Sequence, residues 1–258
     1  MQFVGRTVRA VAVCIPARDE ERRLAASLSA LGLALAHPGI EALTVRIAVV
    51  VDGGSDRSAD VALRWGRRPA GADQRTLVLE RPAGAGNVGA ARRAGMSALL
   101  ADLGDAGPGV WLASTDADTR VPPEWLDRQL RAGVDAWAGT VTIGGDGPPG
   151  MQERFAARYG DPRRRPVHGA SLGVVAPAYV SAGGFPAWRS GEDRGLWRRL
   201  LDLGAIAVHD PGCPVVTSAR LHGRAPRGFA RWLAGIHAGA AAAELVPSPD
   251  HEGAVAGP

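Results

Sequence analysis

Two aspartates separated by a single residue follow an apolar run near the middle of the chain. Asp116 and Asp118 come after residues 110–113, which read as a buried strand, so both carboxylates emerge at its carboxyl end. Ligands of open α/β sheets collect outside those ends. On extended backbone the two side chains point in opposite directions, so one can face a sugar hydroxyl and the other a cation. Such oxygen ligands suit Mg²⁺ or Mn²⁺ bridging a diphosphate.

Carboxylates and small residues also follow two earlier predicted strands. Residues 15–21 read Ile-Pro-Ala-Arg-Asp-Glu-Glu, and residues 51–56 read Val-Asp-Gly-Gly-Ser-Asp. Asp52 is placed to accept hydrogen bonds from a base or ribose, and the glycines after it allow a ligand to approach the backbone closely. Asp56 is interpreted mainly as a cap of the short helix that follows.

A Gly-rich segment and an acidic pair complete the candidate site. Asn87 begins a predicted helix whose N-terminus faces the diphosphate edge. On that helix Arg92 is a candidate contact for phosphate or for the D-x-D carboxylates, with a solvated surface arginine as the alternative. Glu192 and Asp193 begin a later helix. A transferase needs one carboxylate to take the acceptor's proton, and Asp193 is preferred for that role.

The elements that must position these residues alternate along the first half of the chain. Apolar patterns predict strands at 10–15, 45–51, 75–79 and 110–113 and helices at 20–35, 58–65 and 88–103. This order implies an α/β fold with a mostly parallel sheet covered on both faces. After residue 131 the patterns predict a strand at 134–143, a loop at 144–150, and helices at 152–159, 192–203 and 227–245.

The domain prediction follows from these elements. We expect one domain over residues 1–246, with a nucleotide-binding half at 10–131 and an acceptor-binding half at 132–246. Residues 247–258 read as a flexible tail.

Composition narrows the classes of function. The chain has 258 residues, a net charge of +4 and no lysine, so all 30 basic residues are arginine. A Schiff-base lysine and a lysine-dependent phosphate loop are therefore excluded, and arginine must serve wherever a cation meets phosphate. Because the arginines are scattered and aromatic residues are few, no nucleic-acid partner is expected.

Cysteine use and hydropathy bear on location. Cys14 lies in a predicted core strand, and two cysteines in total fit a reducing compartment better than a disulfide scaffold. No apolar stretch reaches the ~18 residues that a membrane-spanning helix needs. A cytoplasmic protein is predicted, with weak peripheral membrane or partner contact through residues 232–245.

The motifs occur in an order that resembles family 2-type glycosyltransferases of the GT-A fold. The resemblance covers residues 10–232. It implies a Rossmann-like, three-layer α/β/α domain, a nucleotide-diphosphate sugar donor (a UDP-sugar first), and Mn²⁺ or Mg²⁺. It also implies a hydroxyl acceptor, which is a small molecule, a lipid-linked compound or a glycan. The motifs that carry it are Ile-Pro-Ala-Arg-Asp-Glu-Glu, Val-Asp-Gly-Gly-Ser-Asp, Asn-Val-Gly-Ala-Ala-Arg, Asp-Ala-Asp-Thr-Arg-Val-Pro-Pro-Glu-Trp-Leu, Gly-Gly-Phe and Gly-Glu-Asp.

The resemblance also implies roles for individual residues. Asp52 would hold the base, Asp116 would approach the ribose and Asp118 would bind the metal. Asp193 would be the general base, with Glu192 beside it, in a direct displacement that inverts the anomeric carbon. Some GT-A enzymes use a late histidine as an extra metal ligand. The remaining implied positions are Pro16, Ala17, Arg18 and Glu20 in the nucleoside pocket, His222 as that metal ligand, and Arg220 and Arg224 as a diphosphate clamp.

Two departures and three alternatives accompany this interpretation. The segment at 51–56 lacks the family's frequent pair of consecutive acids, and the Gln-x-x-Arg-Trp signature of processive synthases is absent, so a single transfer is favoured. A retaining GT-A enzyme, a nucleotidyltransferase and a non-catalytic nucleotide-sugar-binding protein are the alternatives. Acceptor contacts are expected from residues 135–168 and 188–191, including His168.

Overall fold

The computed structural model describes residues 7–68, 73–82, 86–159, 166–223 and 228–239. Within the first half, every predicted strand and helix is present, with bounds that differ from the prediction by a few residues or not at all. The elements are β1 (Ala10–Ala17), α1 (Leu24–Leu35), β2 (Thr44–Asp52), α2 (Ser58–Gly66), β3 (Gln74–Arg81), α3 (Val88–Leu103) and β4 (Val110–Ser114).

The second half contains elements that the sequence patterns did not predict. Helix α6 and the two short strands β5 and β7 were missed, since so few residues show no readable periodicity. The predicted tail at 247–258 and the end of the last predicted helix lie outside the described residues. The elements are β5 (Thr119–Arg120), α4 (Trp125–Arg131), β6 (Ala136–Ile143), α5 (Met151–Tyr159), β7 (Leu172–Val175), α6 (Ala176–Ser181), α7 (Glu192–Asp202), β8 (Ala207–Thr217) and α8 (Phe229–His237).

The strands form one sheet in the order β3-β2-β1-β4-β7-β6-β8-β5. β1 lies parallel to β2 and β4, and β2 lies parallel to β3. β7 pairs antiparallel with both β4 and β6, β6 runs parallel to β8, and β5 is antiparallel to β8. The predicted α/β fold with a predominantly parallel sheet is therefore confirmed, and the carboxyl ends of β1, β2 and β4 share one edge.

The central strands are buried on both faces. Every residue of β1 except Pro16 is buried, as are all residues of β4, which explains their continuous apolar character. Cys14, in β1, is fully buried as predicted, and burial raises the pKa of its thiol to about 12. Within the described ranges, no helix is both long and apolar enough to cross a lipid bilayer.

Helix α3 lies unusually close to the sheet at one glycine. A Cβ atom added to Gly95 would stand 2.4 Å from Sγ of Cys14 and 2.9 Å from Cγ2 of Val50. The absence of a side chain at Gly95 therefore sets the distance between α3 and strands β1 and β2. Helix α3 begins beside the carboxyl edge of the central strands. The contact at Gly95 therefore fixes the position of the N-terminus of α3 relative to that edge.

We expect Gly95→Val to destabilise the protein by about 1–3 kcal/mol, because the added methyl groups must push α3 away from a packed strand surface. Ser97→Val is the matched control, since Ser97 is exposed on the same helix and tests only the helix propensity of valine. Urea unfolding of both variants measures the difference. Equal losses of stability in the two variants would contradict the close-packing explanation.

Candidate active site

A cavity of about 610 Å³ opens at the carboxyl edge of the central strands. Every predicted site residue that the structure describes lines it, except His222. Arg224 lies outside the described residues. The cavity therefore brings together motifs that are far apart in the sequence: Pro16, Ala17, Arg18, Glu20, Asp52, Arg92, Asp116, Asp118, Glu192, Asp193 and Arg220.

The D-x-D segment forms a turn, so the prediction that it lies on extended backbone is wrong. The N–H of Thr119 donates to the carbonyl oxygen of Asp116 at 3.1 Å. The chain must bend here because β4 lies in the centre of the sheet, whereas β5 pairs with β8 at its far end. The two carboxylates still face different partners: Asp116 contacts Arg92, and Asp118 contacts Arg220.

Arg92 is a buried cation that joins the D-x-D turn to the acidic pair. Only 2% of this residue is exposed. One Nη atom contacts the carboxylate of Asp116, the other contacts the carboxylate of Glu192, and Nε donates to Oγ of Ser114 at 2.9 Å. The predicted contact with a D-x-D carboxylate is thus confirmed, and the alternative of a solvated surface arginine is wrong.

Arg92 faces two carboxylates, of which Glu192 is buried and the Asp116 side chain is 35% exposed. Burial raises the pKa of Glu192 to about 7, although Arg92 opposes the shift. Burial likewise raises the pKa of Asp116 to about 6, again against Arg92. For Arg92 itself burial acts to lower the pKa, but the two carboxylates outweigh it and raise the pKa. Burial therefore favours the protonated forms of Glu192 and Asp116, whereas Arg92 favours their charged forms.

The two acids at the start of α7 have different surroundings. Glu192 is only 4% exposed and contacts Arg92, although it also lines the cavity, and its predicted catalytic role stays a prediction. Asp193 accepts hydrogen bonds from the backbone N–H groups of Gly169 and Arg194, each at 2.8 Å, and lines the cavity. The bond from Gly169, which the sequence did not reveal, fixes the direction of the Asp193 carboxylate.

Asp52 ties three elements together at the end of β2. One of its oxygens contacts Arg81, at the end of β3, and the other accepts the N–H of Asn87 at 2.7 Å. Asn87 in turn caps α3 by accepting the N–H of Ala90, as the predicted helix start requires. Asp52 also lines the cavity. Its contact with a nucleotide base stays a prediction. Arg81 was missed because it lies beyond the predicted end of β3 at residue 79, and its register opposite Asp52 depends on the pairing of two separate strands.

Arg220 neutralises two carboxylates of the cavity. Its Nη2 lies 2.9 Å from Oδ2 of Asp118, and its Nη1 lies 2.5 Å from Oε1 of Glu20. Burial raises the pKa of Asp118, and Arg220 opposes that shift. Asp146, a second residue that the sequence did not reveal, holds this segment by accepting the N–H of Ala219 and the hydroxyl of Ser218.

The donor set of the cavity fits a cation that arrives together with a diphosphate. Among the residues that the structure describes, no three His, Cys, Asp or Glu side chains are grouped closely enough to hold a metal ion. Mg²⁺ is commonly held by one or two carboxylates together with substrate phosphates, and Asp118 supplies such a carboxylate. His222 is exposed and does not line the cavity, so its predicted role as a metal ligand gains no support.

We expect Glu192→Gln to flatten the dependence of stability on pH. Because the native pKa of Glu192 is raised from 4.5 to about 7, its contribution to stability is complete below pH ~4.5 and is lost as pH rises through about 7. The wild type should therefore lose on the order of 2 kcal/mol relative to this variant between pH 5 and 8. Urea unfolding at several pH values measures this, with Glu153→Gln, on the exposed face of α5, as control. Parallel pH profiles for wild type and Glu192→Gln would contradict the assignment.

Two solved structures share this architecture. The first is a mannosyltransferase from Pyrobaculum calidifontis in complex with GDP-Man and Mn²⁺, with 18% identity over 88% of this chain and 62% of that one, at a TM-score of 0.62. The second is residues 1–349 of S. aureus TarS in complex with UDP-GlcNAc, with 14% identity over 85% of this chain and 61% of that one, at a TM-score of 0.60. The present chain thus spans about three fifths of each structure, and the likeness shows the fold.

The sequence comparisons give the family. No curated protein matched the chain. The family model described as "Glycosyl transferase family 2" matches residues 12–166, which is more than half of the chain and includes the D-x-D turn, Arg92 and Asp52. With the α/β sheet and the shared architecture, the predicted GT-A fold is confirmed, and the chain belongs to glycosyl transferase family 2.

Proposed function

We propose that this chain transfers a sugar from a nucleotide-diphosphate donor to an acceptor hydroxyl. The observation that carries the proposal is that one cavity contains both the D-x-D turn and Asp193. The D-x-D turn is suited to binding the diphosphate and its cation. Asp193 is suited to taking the proton of the acceptor hydroxyl. Membership of glycosyl transferase family 2 supports the same reaction class.

The donor's nucleoside is assigned to the side of the cavity formed by the ends of β1 and β2. Pro16, Ala17 and Arg18 line this side, and Asp52 lies at the end of the neighbouring strand. A UDP-sugar is our first choice of donor. The two similar structures carry different nucleotides, UDP-GlcNAc and GDP-Man, so the base is a question for direct measurement.

The leaving diphosphate is assigned to Asp118 and Arg220. Asp118 would hold Mn²⁺ or Mg²⁺, which supplies positive charge where negative charge develops on the departing diphosphate. Arg220 already lies within contact of Asp118. The planar fork of its guanidinium suits a phosphate oxygen, so Arg220 would bind the diphosphate next to a cation held by Asp118.

The transfer step is assigned to Asp193. Its carboxylate takes the proton of the acceptor hydroxyl, whose oxygen forms a bond to the anomeric carbon of the donor. The bond between that carbon and the diphosphate oxygen breaks, and its electron pair leaves with the nucleoside diphosphate. Attack opposite the leaving group inverts the anomeric centre, and Glu192 and Arg92 hold the start of α7 in place.

A thermal-shift panel of UDP, GDP, dTDP, CDP and ADP, each with and without Mn²⁺, tests the donor site. One nucleotide should raise the melting temperature in a Mn²⁺-dependent way, since a ligand of the native state stabilises it by mass action. Asp118→Asn should remove the Mn²⁺ dependence, whereas Asp60→Asn, on an exposed position of α2, should keep it. If Asp118→Asn keeps the full Mn²⁺ dependence, this residue does not hold the cation.

For the transfer step, we expect Asp193→Asn to bind the donor nucleotide like the wild type but to lose at least about a hundredfold in turnover, as expected for loss of a general base. Turnover is followed as release of the nucleoside diphosphate, and proton NMR of the product gives the anomeric configuration. A normal rate in Asp193→Asn would refute the base assignment. Retention of configuration would refute direct displacement.

A further inference from the structure

Five rings pack together beside the cavity. Phe155 and Tyr159 of α5 are stacked with centroids 4.7 Å apart, and Phe229 and Trp232 of α8 lie 5.6 Å from each other. Phe155 contacts both rings of α8, at 6.0 and 5.9 Å. His168 joins the cluster through Tyr159 and Phe229. Edge and stacked contacts are the favoured arrangements of aromatic pairs, so these contacts stabilise the cluster.

Three of these rings reach the cavity and form part of an apolar wall. We define the apolar wall as six residues that line the cavity: Val141, Val167, His168, Ala170, Phe229 and Trp232. Trp232 is 4% exposed and Leu233 beside it is fully buried, so the described part of α8 packs against the protein rather than offering these side chains to a membrane. The wall differs sharply from the donor side, where carboxylates and arginines line the cavity.

His168 connects the apolar wall to the proposed base. Its Nε2 lies 2.8 Å from the hydroxyl oxygen of Tyr159, and the next residue, Gly169, donates its N–H to Asp193. Burial lowers the pKa of His168 to about 4, although Asp193 opposes the shift, so the imidazole is neutral at pH 7. A neutral imidazole can orient a hydroxyl through a hydrogen bond. It carries no charge that would attract or repel a neighbouring charged group.

We propose that the acceptor is a hydroxyl compound with an aromatic or comparably flat apolar body. The body lies against the apolar wall, and the hydroxyl points to Asp193. This inference rests on the proposed function, because it places the acceptor in the cavity that receives the donor.

The apolar wall favours an acceptor with an aromatic or comparably flat apolar body over a sugar acceptor. A sugar ring brings several hydroxyls, and each one that leaves water needs a new hydrogen-bond partner. The apolar wall itself offers two polar side-chain groups, the imidazole of His168 and the indole of Trp232. The polar side chains of Arg189, Ser190 and Arg194, which adjoin Asp193 in the sequence, line the part of the cavity where the acceptor hydroxyl is placed. A flat apolar body needs few polar partners and gains from contact with the partly exposed ring of Phe229.

Calorimetric titration with two probes tests the inference, in the presence of the nucleotide and Mn²⁺ chosen by the thermal-shift panel. We expect 2-naphthol to bind with one-to-one stoichiometry and methyl β-D-glucopyranoside not to bind measurably. Binding of the glucoside as tight as or tighter than that of 2-naphthol, or no binding of 2-naphthol, would overturn the inference. If no nucleotide shifts the melting temperature, the proposed function itself fails, so the two failures are distinguishable.

Variants of Phe229 locate the probe. Phe229→Ala should weaken 2-naphthol binding about tenfold, the loss expected for a ring contact with its buried area. Phe229→Leu, which keeps apolar volume and is the fallback should the alanine variant not fold, should weaken binding less. Leu33→Ala is the control, since Leu33 is 63% exposed on α1 and does not line the cavity. Unchanged binding in Phe229→Leu and Phe229→Ala, or an equal loss in Leu33→Ala, would place the probe elsewhere and overturn the inference.

Discussion

The buried guanidinium of Arg92 is the interaction on which the site depends. A cation with 2% exposure is tolerated only where carboxylates and hydrogen bonds replace the water it has lost. Arg92 finds these partners on β4, on the D-x-D turn and at the start of α7. The end of β4 with its D-x-D turn and the distant start of α7 are thereby held around one charge, and α3, which carries Arg92, is held against the sheet at Gly95.

A second arginine repeats this arrangement at the other aspartate of the D-x-D turn. Arg220 faces Asp118 and Glu20, with more solvent around it than Arg92 has. Arg92 and Glu192 form the buried pair, with 3% and 5% of their side chains exposed, whereas Arg220 and Asp118 are 19% and 12% exposed. Exchange of partners costs less for Arg220, since breaking a buried ion pair leaves a charge uncompensated.

The sequence predicted those parts of the fold and site that depend on local pattern. The strands and helices of the first half, the cap formed by Asn87 and the buried state of Cys14 follow from hydrophobic runs and capping residues. Asp56 also caps α2, by accepting the N–H of Ser58. The partners of Asp52 and Asp118 were missed because they depend on pairings between distant segments, and the turn at Asp116 depends on where β5 joins the sheet.

Strand β7 has a consequence for how the two halves of this chain can vary. It lies in the second half of the sequence, beyond the end of the family match at residue 166, yet it pairs with β4 of the first half and with β6. The pairing of β7 with β4 thus joins the two halves of the sequence at the centre of the sheet, so the halves are not separable modules. A chimera joined at residue 131 would import a foreign central strand, whereas a junction after Val175 would keep the native pairing with β4.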